Sequence, residues 1–244
     1  MPPTAAPMTS PSTAPIFNAP NAPNAATADA RELPHGAPEI LYGDAALLVV
    51  NKPAGLLSVP GRGEDKQDCL SQRLQGEFHD ALIVHRLDMH TSGLLVLARG
   101  KEMQRRLSCQ FAERQVDKRY VALVAGRLPT ASGEIDLPLS ADWPRRPRQK
   151  VDPLAGKPSL TRYQVLGHDP ATKRSRLLLL PLTGRTHQLR VHLQALGYPI
   201  IGDALYGNAE PGVQGTRLML HAEALAFTHP ESGQSLRFLC PAPF

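Results

Sequence analysis

The sequence predicts an α+β protein built on a large, mainly antiparallel sheet. Apolar runs of strand length recur along most of the chain, whereas helical periodicity is confined to two segments. No internal repeat is visible. Runs of strands with few helices between them are typical of this class.

The strands are predicted by continuous or alternating apolar runs. ILYGDAALLVVNK reads as two short strands joined at Gly43 and Asp44, and GLLVLA at 93–98 reads as one buried strand. DKRYVALVAG alternates, which places Tyr120 on the face opposite Val121 and Leu123. Four more strands are predicted at LTRYQVLG, SRLLLLPL, RLMLHAEALAF and SLRFL.

Two helices are predicted. In KEMQRRLSCQFAER, Met103, Leu107 and Phe111 are four residues apart and form one apolar stripe flanked by arginines. THQLRVHLQAL reads as a second helix, which Gly197 and Pro199 end.

Residues 1–34 differ in composition from the rest of the chain. They are rich in Pro, Ala, Thr and Asn and contain almost no charge, so they cannot build a core. We expect a disordered tail here and one domain over residues 35–244. An organellar transit peptide is the alternative, but it would need an amphipathic pattern of arginines, and the first arginine is Arg31.

Composition excludes several classes of protein. With 244 residues and 42% hydrophobic content the chain can bury a substantial core. No window reaches the eighteen or more apolar residues of a membrane span, and no signal peptide is recognisable, so we expect a cytoplasmic protein without membrane attachment. The three cysteines are far apart and never in a C-x-x-C pair, which predicts reduced thiols.

The chain carries a net charge of +5, and its positive residues are clustered. Basic residues gather in three segments, at 99–119, 145–150 and 173–176. Such clusters suit a phosphate backbone, although an ordinary solvated basic face would look the same. The charge distribution therefore suggests a nucleic acid as partner but does not distinguish a binding surface from an ordinary basic one.

One polar stretch stands directly before a buried strand. In VHRLDMHTSG, Asp88 precedes the turn-forming residues Thr91 to Gly93, and it could simply be a turn residue paired with Arg86. Near the second helix, however, Arg185 and Arg190 could each hold a carboxylate, and Tyr120 lies in the most basic third of the chain. An acid, an arginine and an aromatic amid basic charge fit chemistry on a nucleobase.

Other residues do not indicate a metal or a cofactor. His187 and His192 are five residues apart, so they do not share a helix face as the histidines of H-E-x-x-H do, and no ligand set completes a site. We expect no metal. His85 is expected to be a buried, hydrogen-bonded neighbour rather than a base, and VPGRG does not form a phosphate-cradling loop.

Four motifs occur in order: NKPAGLLSVPGR at 51–62, HRLDMHTSG at 85–93, KRYVALV at 118–124 and GRTHQLRVH at 184–192. Together they resemble the RluA family of pseudouridine synthases, over about residues 38–244. The resemblance implies that family's fold, in which helices and loops flank a mixed sheet and an active-site cleft crosses it. Many relatives also carry an N-terminal S4 RNA-binding module, and this sequence has only the Pro/Ala-rich tail in that place.

The resemblance also implies roles for individual residues. Asp88 matches the catalytic aspartate, and Arg190 matches the arginine that pairs with it. Tyr120 matches the active-site tyrosine, which can stack on the base and move a proton. Arg86 matches the arginine that fills the gap left by the flipped uridine. Asn51 and Lys52 match scaffold positions.

RNA contacts are expected from Arg86 and Arg185 near the active site and from Arg105 and Arg106 on the first predicted helix. The implied partner is a stem-loop of large-subunit ribosomal RNA, the anticodon stem-loop of transfer RNA, or both, with no role for DNA. DWPRRPRQK resembles the members of the family with this dual specificity. The reaction changes no oxidation state, so no cofactor is expected, and we expect a monomer.

Two other classes remain open from the residues alone. A noncatalytic RNA-binding protein would share the basic clusters but would not need Asp88, Tyr120 and Arg190 together. A hydrolase that used Asp88 would need a second carboxylate as general acid, and the sequence places no candidate.

Overall fold

The computed structural model describes residues 38–207 and 213–244, so the predicted tail at residues 1–34 lies outside the described residues. The elements are the strands β1 to β12 and the helices α1 to α3, together with 3-10 turns at Glu64–Lys66 and Trp143–Arg145. The strands are β1 Glu39–Gly43, β2 Leu47–Lys52, β3 Ala81–Ile83, β4 Ser92–Arg99, β5 Asp117–Ala125, β6 Ser132–Asp136, β7 Leu139–Ala141, β8 Gln149–Val151, β9 Leu160–Asp169, β10 Arg174–Pro181, β11 Leu220–Thr228 and β12 Ser235–Leu239. The helices are α1 Leu70–Gln75, α2 Lys101–Ala112 and α3 Gln188–Ala195.

Ten strands form one sheet in the order β1-β2-β4-β11-β5-β10-β9-β6, with β3 paired to β4 and β12 paired to β11. Every pairing in it is antiparallel except that of β4 with β11, which is parallel. The prediction of a large, mainly antiparallel mixed sheet is confirmed.

The strand pair β2–β4 is buried on both faces because a helix covers each of them. Leu94 and Val96 point to the face that packs under Leu107 of α2, whereas Leu95 and Leu97 point to the opposite face, under α1. Successive strand residues alternate between faces, so a continuous apolar run is what a strand in this position requires. A third cluster packs β5 and β10 against α3.

Gly93 lies at the start of β4, where the backbone of β11 comes unusually close. Gly93 has a φ of +109°, and a Cβ at this position would lie 2.3 Å from the carbonyl oxygen of Ala222. Only glycine fits such a contact. The parallel pairing that begins here brings the turn before β4 next to β11 and, beyond it, to β5.

A two-stranded hairpin, β7–β8, stands apart from the large sheet and packs against α3. Its tip carries Trp143, which is 67% exposed, with the Arg146 guanidinium 3.3 Å from the ring centroid. No strand is predicted in this segment from the sequence. Strands of three residues are too short to show a period of two.

Among the described residues, no helix is long and apolar enough to cross a membrane.

Candidate active site

The turn that carries Asp88 is fixed on both sides by the loop after β2. Before Asp88, the Ser58 hydroxyl donates to the carbonyl oxygen of Leu87 at 2.7 Å and accepts from its N–H at 3.2 Å. After Asp88, the Met89 carbonyl accepts from the Gly55 N–H at 2.9 Å and from the Lys52 ammonium at 3.0 Å. The motif at 51–62 therefore holds the backbone on either side of the carboxylate.

Lys52 is fully buried, and its ammonium also donates to the carbonyl oxygens of Pro53 and Leu56 at 2.9 and 2.7 Å. Burial lowers the pKa of Lys52 to about 7, even though the negative charge of Asp88 acts in the opposite direction. Lys52 thus joins three backbone carbonyls near Asp88, which suits the scaffold position implied by the resemblance.

Arg190, in the first turn of α3, lies between two carboxylates. Its Nη1 is 3.4 Å from Oδ2 of Asp88. Its Nε and Nη2 each lie 2.8 Å from an oxygen of Asp203, which makes a bidentate pair. The pairing of Arg190 with Asp88 was expected; the stronger pairing with Asp203 was not.

The pair formed by Arg190 and Asp203 is almost completely buried, at 3% and 1% side-chain exposure. Burial acts to lower the pKa of Arg190, but the hydrogen bonds to Asp203 and the charges of Asp203 and Asp88 outweigh it and hold that pKa above its usual value. Asp88 itself remains 24% exposed. The guanidinium is thus immobilised by one acid and faces a second acid that is open to solvent.

Asp203 also builds the turn that follows it. Its Oδ1 accepts the backbone N–H groups of Leu205 and Tyr206 at 2.9 and 3.1 Å. This turn places the Tyr206 ring 5.1 Å from the guanidinium of Arg190 and its hydroxyl 2.7 Å from Nδ1 of His187. Sequence reasoning missed both residues, because IGDALYG shows neither a period nor a recognisable ligand spacing.

The two histidines considered as metal ligands do not converge. His187 precedes α3 in a left-handed conformation with φ of 53°, and its Nε2 lies 3.8 Å from Oδ2 of Asp88. His192 is buried and bonds to the hydroxyl of Thr161 and the carbonyl of Leu137, each at 3.0 Å. In the described part of the chain, no group of three His, Cys, Asp or Glu side chains could hold a metal ion.

Tyr120 comes from β5 and lines the same cleft as Asp88. Its side chain is partly buried and packs against the cluster that contains Ala122 and Val124, on the face expected from the alternation. Burial, with a smaller contribution from the charge of Asp88, raises the pKa of the Tyr120 hydroxyl above its usual value. The residue therefore presents a protonated phenol to the cleft.

Basic side chains border the cleft. Arg86 and Arg185 are exposed at its edge, and Lys118 lines it. The cleft continues past Lys118 towards the end of α2, where Phe111 and Arg114 line it. Five of the predicted site residues therefore meet at one cleft: Asp88, Tyr120, Arg190, Arg86 and Arg185.

Arg105 and Arg106 lie elsewhere. Neither lines the cleft, and both pair with Glu102 on the exposed side of α2, at 2.9 and 2.8 Å. Arg106 also donates to the carbonyl oxygen of Pro230 at 2.9 Å. Their predicted contact with RNA would be made outside the active-site cleft.

His85 is held as expected. Its Nε2 accepts the N–H of Val96 at 3.1 Å, and its ring stacks on Phe111 with centroids 4.4 Å apart. Burial, with a smaller contribution from the charge of Lys118, lowers the pKa of His85 to about 3. The residue is a neutral packing group rather than a base.

Comparisons with known proteins identify the family. Residues 46–195 match the family model described as RNA pseudouridylate synthase. A protein of Escherichia coli K12 named dual-specificity RNA pseudouridine synthase RluA is 51% identical over 205 residues, covering 84% of this chain and 93% of that protein. Its namesake from Yersinia pestis is 49% identical, covering 84% and 99%.

Solved structures show the same fold. The human RNA pseudouridylate synthase domain containing 1 superposes with a TM-score of 0.71 at 34% identity, covering 85% of this chain and 84% of that chain. The human RNA pseudouridylate synthase domain containing 4 has a TM-score of 0.66 at 27% identity, covering 84% and 88%.

Proposed function

Since this chain belongs to the RNA pseudouridylate synthase family and is an RNA pseudouridine synthase, we propose that Asp88 is its nucleophile and that its substrates are uridines in RNA stem-loops. The observation that carries the proposal is the position of the Asp88 carboxylate. It stands in a basic cleft, 3.4 Å from the buried guanidinium of Arg190, and shares that cleft with Tyr120.

The chemistry is an isomerisation. The bond from the ribose C1′ to N1 of uracil breaks, a bond from C1′ to C5 forms, C5 loses its proton and N1 gains one. Atoms and oxidation state therefore balance with no redox partner, and a carboxylate nucleophile is sufficient to hold the detached fragment covalently while the base turns. A nucleophile for this step must reach the nucleoside, and Asp88 is the partly exposed acid in this cleft.

The neighbours of Asp88 suit this task. Arg190 supplies a fixed positive charge that orients the carboxylate, because its own position is set by the bidentate bond to Asp203. Tyr120 can stack on the flipped uracil and place its hydroxyl near the atoms that exchange a proton. Arg86, exposed at the edge of the cleft, can fill the gap that the flipped uridine leaves in the RNA.

Asp203, the second acid near Arg190, cannot act as the general acid that a hydrolase would need. A glycosidase needs a carboxylic acid that can protonate the leaving group. Asp203 is 1% exposed and has both oxygens engaged by Arg190. It is therefore unable to deliver a proton into the cleft. A noncatalytic RNA-binding protein would not need this buried support for a partly exposed carboxylate.

The substrate RNA is proposed from the relatives and from the charge. The relatives named above are dual-specificity enzymes, and we infer that this enzyme acts on large-subunit ribosomal RNA, on the anticodon stem-loop of transfer RNA, or on both, rather than on DNA. Arg185 binds phosphate at the cleft, and Arg105 and Arg106 bind it beyond the cleft in competition with Glu102. The enzyme acts in the cytoplasm as a monomer, and residues 35–244 suffice for catalysis.

The test uses Asp88→Asn and Tyr120→Phe in the full-length protein. Asp88→Asn removes the nucleophile with little change of volume, so single-turnover pseudouridine formation on ribosomal and transfer RNA stem-loops should be abolished. Tyr120→Phe keeps the aromatic face, so RNA affinity should stay near wild type while turnover collapses.

Asp68→Asn, which alters an exposed pair with Arg73, is the matched control and should be fully active. Melting temperatures verify that each variant is folded. Turnover near wild type in Asp88→Asn would contradict the proposed nucleophile. A fully paired RNA that reacts as fast as the stem-loop would contradict the proposed substrate class, because flipping a base from a duplex costs more.

A further inference from the structure

His187 lies between the proposed nucleophile and a tyrosine that has no place in the chemistry described above. Its Nδ1 is 2.7 Å from the hydroxyl of Tyr206, and its Nε2 is 3.8 Å from Oδ2 of Asp88. The side chain is 10% exposed. The ring therefore faces Asp88 with one nitrogen only.

The hydrogen bonds of Tyr206 favour one tautomer of His187. The Tyr206 oxygen accepts the backbone N–H of Gln149 at 2.8 Å. The phenolic hydrogen then needs an acceptor, and within the described residues the one in reach is Nδ1 of His187. A neutral imidazole that accepts at Nδ1 carries its hydrogen on Nε2, and that N–H points at the carboxylate of Asp88.

The charge state of His187 is consistent with this assignment. Burial lowers its pKa below the usual value, although the charge of Asp88 opposes the shift. The imidazole is therefore neutral near pH 7 and has a single N–H to place. A donor on Nε2 attracts a carboxylate oxygen, whereas a lone pair there would repel it.

Tyr206 is itself held from two directions. Asp203 accepts its backbone N–H at 3.1 Å, through the carboxylate that also fixes Arg190. Gln149, at the start of β8, reaches it from the hairpin β7–β8. The hydroxyl of Tyr206 thus joins the hairpin to the active site.

We propose that His187 is a positioning residue for Asp88, that Tyr206 holds it with Nε2–H towards the carboxylate, and that this contact fixes the orientation of the nucleophile together with Arg190. The distance of 3.8 Å is long for a hydrogen bond. Contacts of this kind often tighten only when substrate closes the site. The inference rests on the proposed role of Asp88 as nucleophile.

The mildest test is Tyr206→Phe, which keeps the ring beside Arg190 and removes only the hydroxyl. We expect the single-turnover rate to fall about tenfold while RNA affinity stays near wild type, because the hydroxyl that orients His187 is removed, together with the acceptor of the Gln149 N–H. Tyr163→Phe is the matched control, because it removes a hydroxyl that lies 2.7 Å from that of Thr130. It should turn over normally.

A second pair of variants separates donation from packing. His187→Asn keeps a residue that tolerates the left-handed backbone but has no donor that reaches Asp88. His187→Gln offers a longer amide whose N–H can replace Nε2–H. We expect the rate to fall with asparagine and to be partly restored by glutamine, at similar melting temperatures. A rate as low with glutamine as with asparagine would overturn the role of the donor.

The tautomer can be observed directly in wild-type protein with 15N-labelled histidine, where long-range 1H–15N correlations distinguish protonated from unprotonated ring nitrogens. The His187 signal is assigned by its disappearance in His187→Asn, and we expect the proton on Nε2. A proton on Nδ1, or a Tyr206→Phe variant as fast as Tyr163→Phe, would overturn the inference. If Asp88→Asn remained active instead, the proposed nucleophile would be the part that fails, whatever the tautomer.

Discussion

Replacing Asp203 by asparagine removes the charge that anchors Arg190 while keeping the size of the side chain. The variant retains one carbonyl oxygen in place of two carboxylate oxygens. That oxygen cannot serve Arg190 and the N–H groups of Leu205 and Tyr206 as the carboxylate does. A buried guanidinium is therefore left with a weakened partner, and the turn that begins at Asp203 has fewer acceptors.

The size of the effect follows from burial. Removing one member of a buried ion pair costs about 3–5 kcal/mol, and both side chains here are at most 3% exposed. Arg190 keeps its contact with Asp88 at 3.4 Å, and asparagine keeps one acceptor, so we expect a cost at the lower end of this range. We expect a loss of about 3 kcal/mol in the free energy of unfolding, which lowers the melting temperature of a domain of this size by roughly 6–12 °C.

Urea denaturation and thermal melting measure the loss, with Asp68→Asn as the control. Asp68 forms a similar short contact with Arg73, at 2.6 Å, but on the surface. Its replacement should leave the melting temperature close to wild type. Turnover of Asp203→Asn should also fall, because Arg190 is then free to move towards Asp88. A melting temperature within about 2 °C of the control would refute the argument that burial makes this pair important.

Three further predictions concern RNA binding, backbone fit and pH. Replacing both Arg105 and Arg106 by glutamine should weaken RNA binding. The slope of the logarithm of the binding constant against the logarithm of the salt concentration should fall in magnitude by roughly one unit for each phosphate that is no longer bound. An unchanged slope in titrations at several salt concentrations would show that α2 does not touch RNA. In urea denaturation, Gly93→Ala should destabilise the protein by about 2 kcal/mol or more, because the added methyl group clashes with β11. Gly55→Ala should cost only about 1–2 kcal/mol, because Gly55 has a φ of +89° but open space around it. The pKa of His85 is about 3 in the folded protein against 6.5 without the fold, so its contribution to stability is complete above pH 6.5 and is lost as pH falls towards 3, by about 1.4 kcal/mol per pH unit. His85→Gln should therefore reduce the change of unfolding free energy with pH between about pH 6 and pH 4. An unchanged pH dependence would contradict the buried neutral state.

The sequence was sufficient for the long elements because their residues repeat with the period of the structure or form an apolar run of strand length. The strand at Asp117–Ala125 and the helix at Lys101–Ala112 show such periods, and the strand at Ser92–Arg99 is a continuous apolar run. The helix at Leu70–Gln75 and the strands of the hairpin β7–β8 are too short for that, and tertiary packing determines them instead. Sequence patterns therefore recover eight of the ten strands of the large sheet and leave out β3, β6 and the hairpin that reaches Tyr206.

The candidate site divides in the same way. Motif resemblance pointed to Asp88 and Arg190, and the structure places their side chains in contact. Asp203 and Tyr206 come from a turn, and their importance lies in hydrogen bonds to residues as far away as Gln149. Such bonds depend on where the chain returns in space, which no local pattern in one sequence records.

The arrangement of charges around Arg190 also explains why two acids at one arginine need not be equivalent. Arg190 contacts the two carboxylates unequally, at 2.8 Å to Asp203 and 3.4 Å to Asp88. Asp203 therefore takes the strong bidentate bond and becomes part of the scaffold. Asp88 receives orientation from Arg190 without being enclosed by it, so its carboxylate stays partly exposed and free to form a bond with the substrate. This inequality suits an aspartate that acts as nucleophile, because a buried carboxylate whose two oxygens both accept hydrogen bonds from arginine is closed to the substrate and is a weaker nucleophile.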